Sequence, residues 1–351
     1  MSASLTSPPL SQRRARWRRP LSIIGLTAVL LIFGIFYLVA IGKFAQAQLV
    51  EQSPPPGRFV DVGGYHLHID CRGPIVVGEP TLVLEAGLGE SSLTWAGMMP
   101  LLAAQHRVCA YDRAGYGWSD SRPTAPTAAT TAADLYTLLQ RSGEAGPYVL
   151  VGHSLGAIYV RFFAHQHPDV VAGMVLLDPS HEEMTTRLPV EWQQRLAAAN
   201  QEAVAALQLP IALIDLGVAA VLPALAPPAD ARLPLEAQAH QRALLRMNSR
   251  SLRALAAEIA ASEAILAEAR TARLGDLGDR PLVVVSADHV NVAPVEGVTA
   301  PEPASNLHEE LAKLSRRGLQ ITVRKSSHYV HYDQPVQVAD AIEWVMKQIQ
   351  L

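Results

Sequence analysis

The sequence predicts an α/β protein with an eight-stranded, mostly parallel sheet, helices on both faces of that sheet, and one N-terminal transmembrane helix. Three features of the 351 residues indicate this arrangement. Short apolar runs alternate with helical stretches from residue 58 onward, residues 21–42 carry no charge, and a helical insertion of about 90 residues interrupts the alternation. Alternating strands and helices are typical of parallel sheets, because each parallel pair needs a crossover connection.

The composition indicates a membrane segment joined to a folded body. Hydrophobic residues make up 49% of the chain and charged residues 17%, whereas globular domains carry about 25% charged residues. Residues 1–50 contain six basic residues and no acidic one, so the remaining 301 residues hold 23 bases and 32 acids, a charge of −9. An acidic body argues against a nucleic-acid partner.

Residues 21–42 are predicted to cross a bilayer as a helix. These 22 uncharged residues are long enough, at 1.5 Å per residue, for a hydrocarbon core of about 30 Å. Five arginines precede the segment, in a basic tail over residues 1–20, and only Lys43 follows it closely. Because basic flanks stay in the cytoplasm, the prediction is a single-pass protein of the cell membrane, with a cytoplasmic N-terminus and an exported body.

A cleaved signal peptide is the alternative interpretation of this segment. Residues 45–47, Ala-Gln-Ala, have the small-x-small form of a cleavage site, and cleavage there would give a secreted protein. The apolar stretch of 22 residues is longer than the apolar core of a signal peptide, which favours an uncleaved signal anchor. Residues 43–57 are predicted to be a Pro-rich linker, in which residues 51–57, with Pro-Pro-Pro, form a short, stiff, non-helical spacer.

The predicted sheet begins with an antiparallel pair, because Gly63 and Gly64 between the first two strands are typical hairpin residues. The predicted strands are residues 58–62, 65–71, 81–85, 107–111, 148–152, 173–177, 281–286 and 320–324. The predicted core helices are residues 95–105, 131–143, 155–167, 307–317 and 335–349.

These elements place the core of the body in residues 58–183 and 278–351. Residues 184–277 are rich in Ala, Leu, Glu and Gln and lack strand-like runs. Such a segment is far longer than a crossover requires, so it is predicted to be a helical cap inserted after strand six.

A Gly-x-Ser-x-Gly motif, residues 152–156, joins an apolar strand to a helix. Glycines two positions before and after Ser154 allow the sharp turn that lifts a serine out of the sheet. This context predicts Ser154 as a nucleophile. The amide of Leu155, at the start of the following helix, is predicted to donate to the oxyanion of the substrate.

A nucleophilic serine needs a base, and His328 follows the last strand at the same edge of the sheet. The histidine in turn needs a carboxylate that fixes its tautomer. Asp288 follows strand seven and is the favoured acid, while Asp178, after strand six, is the alternative. The order serine, aspartate, histidine is the one expected for a serine at such a turn. The second oxyanion donor is predicted to be the amide of Leu88, between two glycines after strand three.

The chain has two cysteines, Cys71 and Cys109, each in a predicted strand. In an exported chain they either form a disulfide or remain buried thiols. Two cysteines without a Cys-x-x-Cys pair do not indicate a metal site, and neither a metal nor an organic cofactor is expected.

With these residues placed, the chain resembles the α/β-hydrolase fold superfamily, of the type that contains esterases, prolyl aminopeptidases and cofactor-free haloperoxidases. The resemblance rests on the sequences EAGLG at 85–89, YDRAGYGWSD at 111–120, GHSLG at 152–156 and SHYVHYDQP at 327–335. It implies that the strands of Cys71 and Cys109 are neighbours, which favours the disulfide. It also implies that the cap shapes the substrate pocket.

The chain departs from the pattern of many superfamily members at two places, the nucleophile and the oxyanion loop. Relatives that open epoxides or remove halogen use an aspartate nucleophile, so Ser154 argues against both activities. Many relatives have His-Gly at the oxyanion loop, where this chain has Ala86-Gly87.

The sequence therefore predicts a membrane-anchored serine hydrolase of the carboxylesterase kind, which cleaves an ester or similar acyl bond of a small molecule through an acyl-enzyme. Two alternatives remain at this point. One is an acyltransferase that uses the same triad, and the other is a non-catalytic scaffold or receptor.

Overall fold

Eight strands form one sheet in the computed structural model, which describes residues 10–288 and 305–349. The strands are β1 (Arg58–Asp61), β2 (His66–Arg72), β3 (Thr81–Glu85), β4 (Val108–Tyr111), β5 (Tyr148–His153), β6 (Val171–Leu177), β7 (Leu282–Ala287) and β8 (Gly318–Val323). Their order is β1-β2-β4-β3-β5-β6-β7-β8. The pairs β1–β2 and β2–β4 are antiparallel and all others are parallel. The predicted fold class is confirmed, and every predicted strand overlaps an observed one.

Helices cover both faces of the sheet. The helices are α1 (Leu10–Gln52), α2 (Met99–Ala103), α3 (Ala128–Ser142), α4 (Gly156–Gln166), α5 (Val190–Ala206), α6 (Gln208–Asp215), α7 (Val218–Val221), α8 (Leu235–Met247), α9 (Arg250–Ala272), α10 (Ser305–Ala312), α11 (Val330–Asp333) and α12 (Pro335–Ile349). The apolar sides of α3 and α4 pack on one face, and those of α2 and α12 on the other. Every residue of β3 and β5 is buried, as expected for central strands covered on both faces.

The cap consists of α5 to α9, inserted between β6 and β7 as predicted. Part of it has an apolar core of its own, in which Ile211 and Ile214 of α6 pack with Leu252 of α9. Helix α9 also joins the main core through Ile265 and Leu266. The cap is therefore anchored on the sheet by α9, which also leads toward the site described below.

Helix α1 is longer than the sequence predicts. It continues without a break to Gln52, so the prediction of a non-helical spacer over 51–57 is wrong for Glu51 and Gln52. Long-range packing explains the difference, because the buried side chain of Gln46 donates hydrogen bonds from Nε2 to the carbonyl oxygens of Ile214 (2.7 Å) and Arg246 (3.2 Å) in the cap.

Among the residues that the structure describes, two helical segments are long and apolar enough to cross a membrane, judged by length and composition alone. One is Gly25–Gln52 in α1, in which a stretch of 18 residues has a mean hydropathy of 2.4, and the other is Val190–Asp215 in the cap, in which such a stretch has a mean hydropathy of 1.2. The N-terminal helix is thus a candidate membrane span, as the sequence predicts.

The two cysteines form a disulfide, as the resemblance implies. Cys71 of β2 and Cys109 of β4 are direct partners in the antiparallel register, with their Cα atoms 4.0 Å apart. The bond joins the antiparallel end of the sheet to its parallel part.

Candidate active site

Ser154 lies on the turn between β5 and α4. Its φ angle of 52° is in the left-handed region, which is uncommon for a non-glycine residue and typical of a strained nucleophile turn. The flanking glycines are required for packing: a Cβ atom on Gly152 would lie 2.8 Å from a methyl group of Val160, and one on Gly156 would lie 2.6 Å from the carbonyl oxygen of Ala86.

The imidazole of His328 faces this serine. Nε2 of His328 lies 2.8 Å from Oγ of Ser154, and Nδ1 lies 2.6 Å from Oδ2 of Asp178. Because a carboxylate can only accept, Nδ1 carries the proton and Nε2 is left to accept the hydroxyl proton of Ser154. The three side chains have the connectivity of a serine, histidine and aspartate triad.

Asp178, not Asp288, is the acid beside the histidine, so the favoured prediction is corrected in favour of its alternative. Asp178 follows β6 directly and also has a positive φ angle, 40°. Its second oxygen, Oδ1, accepts a hydrogen bond of 3.0 Å from the amide of Ala287. The carboxylate is therefore held between the ends of β6 and β7 and aimed at the imidazole.

Asp288 is used in a different way. Its two oxygens accept hydrogen bonds from the backbone amides of Lys325 (2.7 Å) and Ser326 (3.0 Å). These amides belong to the loop that leads from β8 to His328. Asp288 thus contributes to the position of that loop, while the imidazole reaches past the end of β7 to Asp178.

The two predicted oxyanion donors lie on loops beside Ser154. Within the described part of the chain, neither the amide of Leu88 nor that of Leu155 has a hydrogen-bond acceptor. The neighbouring amides of Gly87 and Gly89 do have acceptors, Glu90 (2.8 Å) and Glu258 (3.3 Å). The Leu88 amide is therefore the one that this loop leaves available for a substrate oxygen.

A buried ion cluster holds the Leu88 loop. Arg113 donates 2.7 Å hydrogen bonds to the carbonyl oxygens of Ala86 and Gly87. Its guanidinium also pairs with Glu85 (2.8 Å) and with Glu258 of α9 (3.1 Å). Since all three charged side chains are buried, the cluster depends on each partner being present. The sequence does not predict the contribution of Glu258, which lies about 145 residues away along the chain.

A second pair, His153 and Glu90, lies beside the triad and is not predicted from the sequence. Nδ1 of His153 lies 2.9 Å from Glu90, and Nε2 lies 2.9 Å from the carbonyl oxygen of His328. Both neighbours are acceptors, so both ring nitrogens carry protons and the imidazole is a cation. This pair links the nucleophile turn to the loops of Gly87 and His328.

The pKa values of this pair agree with its charge state. Burial alone would raise the pKa of Glu90, but the charge and hydrogen bond of His153 lower it to about 2. Burial would likewise lower the pKa of His153, yet the Glu90 carboxylate raises it above the ordinary value. The nearby His331 behaves in the opposite way, because burial and the cationic His153 hold its pKa well below the ordinary value.

Among the described residues, two groups could hold a metal ion by the spacing of their ligand atoms. Cys71 and Cys109 with Glu144 are one group, but the disulfide occupies both sulfur atoms. Glu90, His153 and His331 are the other. Glu90 pairs with His153, and Nε2 of His331 lies 2.9 Å from Oγ1 of Thr94, while Nδ1 of His331 is buried without a hydrogen-bond partner among the described residues.

Comparisons with known proteins point to one superfamily. A family model described as the alpha/beta hydrolase fold matches residues 80–217. The crystal structure of wild-type Cfl2 from Burkholderia cenocepacia is similar, with 27% identity, a TM-score of 0.60, and coverage of 82% of this chain and 95% of that one. A thermophilic esterase from Thermogutta terrifontis shares the fold at 19% identity and a TM-score of 0.58, over 84% of this chain and 100% of its own.

Among curated proteins, an uncharacterized vacuolar membrane protein of Saccharomyces cerevisiae is 35% identical over 135 residues, which are 34% of this chain and 21% of that protein. The chain spans about a fifth of the length of the first curated relatives it matches.

Proposed function

Because the chain belongs to the α/β-hydrolase superfamily, we propose that it is a serine hydrolase, anchored to a membrane by α1, that cleaves an ester or similar acyl bond. The observation that carries this proposal is the hydrogen-bonded series from Ser154 through His328 to Asp178. A serine at this turn becomes a nucleophile only with such a base and acid in place.

The reaction begins when Oγ of Ser154 attacks the acyl carbonyl and its proton moves to Nε2 of His328. The carbonyl oxygen becomes an oxyanion, to which the amides of Leu88 and Leu155 donate hydrogen bonds. The proton then passes from His328 to the leaving alcohol, which departs as the carbon–oxygen bond breaks and leaves an acyl-enzyme. Water, deprotonated by the same histidine, releases the acid and restores the serine. Asp178 stabilises the imidazolium in both halves, and no metal or organic cofactor takes part.

Three observations support a membrane-anchored enzyme with its body outside the cytoplasm. The apolar helix α1 carries five arginines before its uncharged part, which favours a cytoplasmic N-terminus. The disulfide favours an oxidising compartment. Residues 45–47, the candidate cleavage site, lie within α1, where Gln46 is buried against the cap, and this favours an uncleaved anchor.

The direct test of the serine hydrolase is labelling by a fluorophosphonate probe, which reacts with an activated serine. We expect labelling of the full-length protein and its loss in Ser154→Ala and in His328→Ala. Ser142→Ala, at the end of α3, is the matched control and should label normally. An unlabelled but folded wild-type protein would contradict the proposal and favour a non-catalytic scaffold.

Product analysis separates hydrolysis from acyl transfer, since both share the acyl-enzyme. With a p-nitrophenyl ester as substrate, hydrolysis gives the free acid whether or not an alcohol is added. A product that is mainly the new ester, at low alcohol concentration, would identify an acyltransferase instead.

A further inference from the structure

The cap contacts α1 at the level where the uncharged stretch of that helix ends. Gly42 is the last residue of the uncharged stretch, and it lies directly against Gly217, since a Cβ atom on Gly42 would be 2.5 Å from the Gly217 carbonyl oxygen. One turn later, Gln46 hydrogen-bonds to Ile214. The height of this part of the cap along the α1 axis is therefore fixed by close backbone contact.

The same part of the cap exposes large apolar side chains. Leu216 and Leu222 are each 49% exposed, and Leu209 is 67% exposed. Leu209 of α6 and Leu216, which follows the last residue of α6 and keeps a helical backbone conformation, are seven residues apart and lie on one side of the helix axis, while Ile211 and Ile214 face the interior of the cap. Leu216 is next to Gly217 in the chain. Leu222 follows Gly217 by five residues across the short helix α7, so the rise of a helix places it within about 10 Å of Gly217.

We propose that this surface, the cap leucine face formed by Leu209, Leu216 and Leu222, rests on the headgroup region of the bilayer that α1 spans. The proposal depends on the proposed membrane anchoring by α1. If the hydrocarbon core ends near Gly42, the next several ångströms along the α1 axis are headgroups. Leu216 is next to Gly217, which touches Gly42, so the face that Leu216 belongs to contacts lipid rather than bulk water.

Continuity with α1 favours lipid as the occupant of this surface over a protein partner. Phe44, just past the uncharged stretch, is 65% exposed. Lys43 beside it places its ammonium 3.0 Å from Oε1 of Gln46, as expected for a lysine at a membrane boundary that directs its charge away from the core. Within the cap segment Val190–Asp215, a stretch of 18 residues has a mean hydropathy of 1.2 and only 11% of that stretch is buried, so the apolar surface extends beyond the three leucines.

The surface is connected to the catalytic loops through α9. Asp215, next to Leu216, pairs with Arg253 and accepts a hydrogen bond of 2.5 Å from Ser249. Helix α9 also supplies Glu258, which reaches the amide of Gly89. The cap leucine face is therefore joined to the oxyanion loop by side-chain contacts of one helix.

Site-directed fluorescence in vesicles tests the proposal. Single cysteines at Leu216→Cys and Leu222→Cys are labelled with an NBD fluorophore in the full-length protein, whose native cysteines are bonded to each other. The protein is reconstituted in phosphatidylcholine vesicles that contain spin-labelled lipid quenchers. Val77→Cys is the matched control, because Val77 is 98% exposed and precedes β3, at the sheet edge opposite to Ser154. Phe36→Cys reports the span itself.

With a quencher near the headgroups, we expect the NBD fluorescence of the Leu216 and Leu222 variants to fall by about twofold or more. With a quencher deep in the bilayer, we expect stronger quenching of the Phe36 variant. The Val77 variant should not be quenched by either. Quenching at Phe36 alone would overturn the proposal and leave the anchor intact. Absence of quenching at Phe36 would overturn the anchor and the proposal together. Protection of Leu216 from aqueous iodide without lipid quenching would mean that a second copy covers the face, which also overturns it. Fluorophosphonate labelling of Ser154 in the same samples reports the hydrolase independently.

Discussion

The imidazole of His328 donates a hydrogen bond of 2.6 Å from Nδ1 to Oδ2 of Asp178. The two residues follow β8 and β6, so the contact passes the end of β7, the strand that carries Asp288. The two aspartates therefore have different roles: Asp178 faces the imidazole ring, and Asp288 holds the loop that carries His328.

Asp178→Asn should abolish most of the activity. An asparagine at this position cannot stabilise the imidazolium and favours the wrong tautomer of His328, so we expect kcat to fall by roughly a thousandfold or more. The measurement is kcat on a p-nitrophenyl ester, with circular dichroism to verify the fold.

Asp288→Asn is the matched comparison, since the side-chain oxygen of asparagine can still accept one of the two amide hydrogen bonds. We expect a loss of less than about tenfold in kcat, because the ring partner of His328 is unchanged. A larger loss in Asp288→Asn than in Asp178→Asn would reverse the assignment.

The choice between these two aspartates could not be made from the sequence, although most of the fold could. Strands β6 and β7 are adjacent and parallel, so an aspartate after either one ends at the same edge of the sheet. The decision depends on the path of the loop before His328, which is set by hydrogen bonds to Asp288. Ser154 was predictable because its Gly-x-Ser-x-Gly motif follows the fully buried strand β5, and His328 because it lies in the loop after the last strand, at the same edge of the sheet.

Contacts between distant parts of the chain explain the other differences. The continuation of α1 to Gln52 depends on cap residues about 170 positions away, which no local pattern encodes. Likewise, Glu258 lies in an Ala-rich helix, where a single glutamate looks like an ordinary exposed residue. One feature of the sequence does point to His153: it is next to the nucleophile, at the end of a fully buried strand.

The disulfide should contribute to stability and not to catalysis. Cys71 and Cys109 enclose a separation of 38 residues, for which chain entropy predicts a stabilisation of about 3–4 kcal/mol. We expect the double variant Cys71→Ala/Cys109→Ala to lose about this amount in the free energy of unfolding, measured by urea titration in detergent.

The kcat of the folded double variant should stay within about twofold of wild type, because Cys109 lies near the amino end of β4, far from the carboxyl edge where Ser154 stands. A marked loss of kcat with little change in stability would contradict this separation.

Glu258→Gln should weaken the oxyanion loop. The glutamate accepts hydrogen bonds from Tyr116 (2.6 Å), Tyr159 (2.7 Å) and the Gly89 amide (3.3 Å), and it also pairs with Arg113. The neutral amide leaves part of the Arg113 charge uncompensated and lets the Leu88 loop shift. We expect kcat to fall by about 10- to 100-fold with a smaller change in KM, since oxyanion donors act mainly in the transition state.

Glu263→Gln is the control for this variant, because Glu263 lies on the same helix and its side chain is 58% exposed. Among the described residues, its one salt bridge is to Arg270. It should leave kcat unchanged. If Glu258→Gln raises KM and spares kcat, the residue shapes substrate binding and not the oxyanion loop.

The Glu90 and His153 pair should give the protein a stability maximum in mildly acidic solution. The pKa of Glu90 is lowered to about 2 from 4.5, so its contribution is complete above about pH 5 and is lost as the pH falls toward 2. The pKa of His153 is raised from 6.5, so its contribution is complete below about pH 6 and is lost as the pH rises through the value in the folded state. Both contributions are therefore complete only between about pH 5 and 6, and Glu90→Gln removes them together.

We expect the difference in Tm between wild type and Glu90→Gln, measured by differential scanning fluorimetry, to be largest between about pH 5 and 6 and to shrink at about pH 3 and about pH 9. Glu202→Gln on the exposed side of α5 should show no such pH dependence, and a difference for Glu90→Gln that is constant across the whole pH range would exclude an ion pair as its cause.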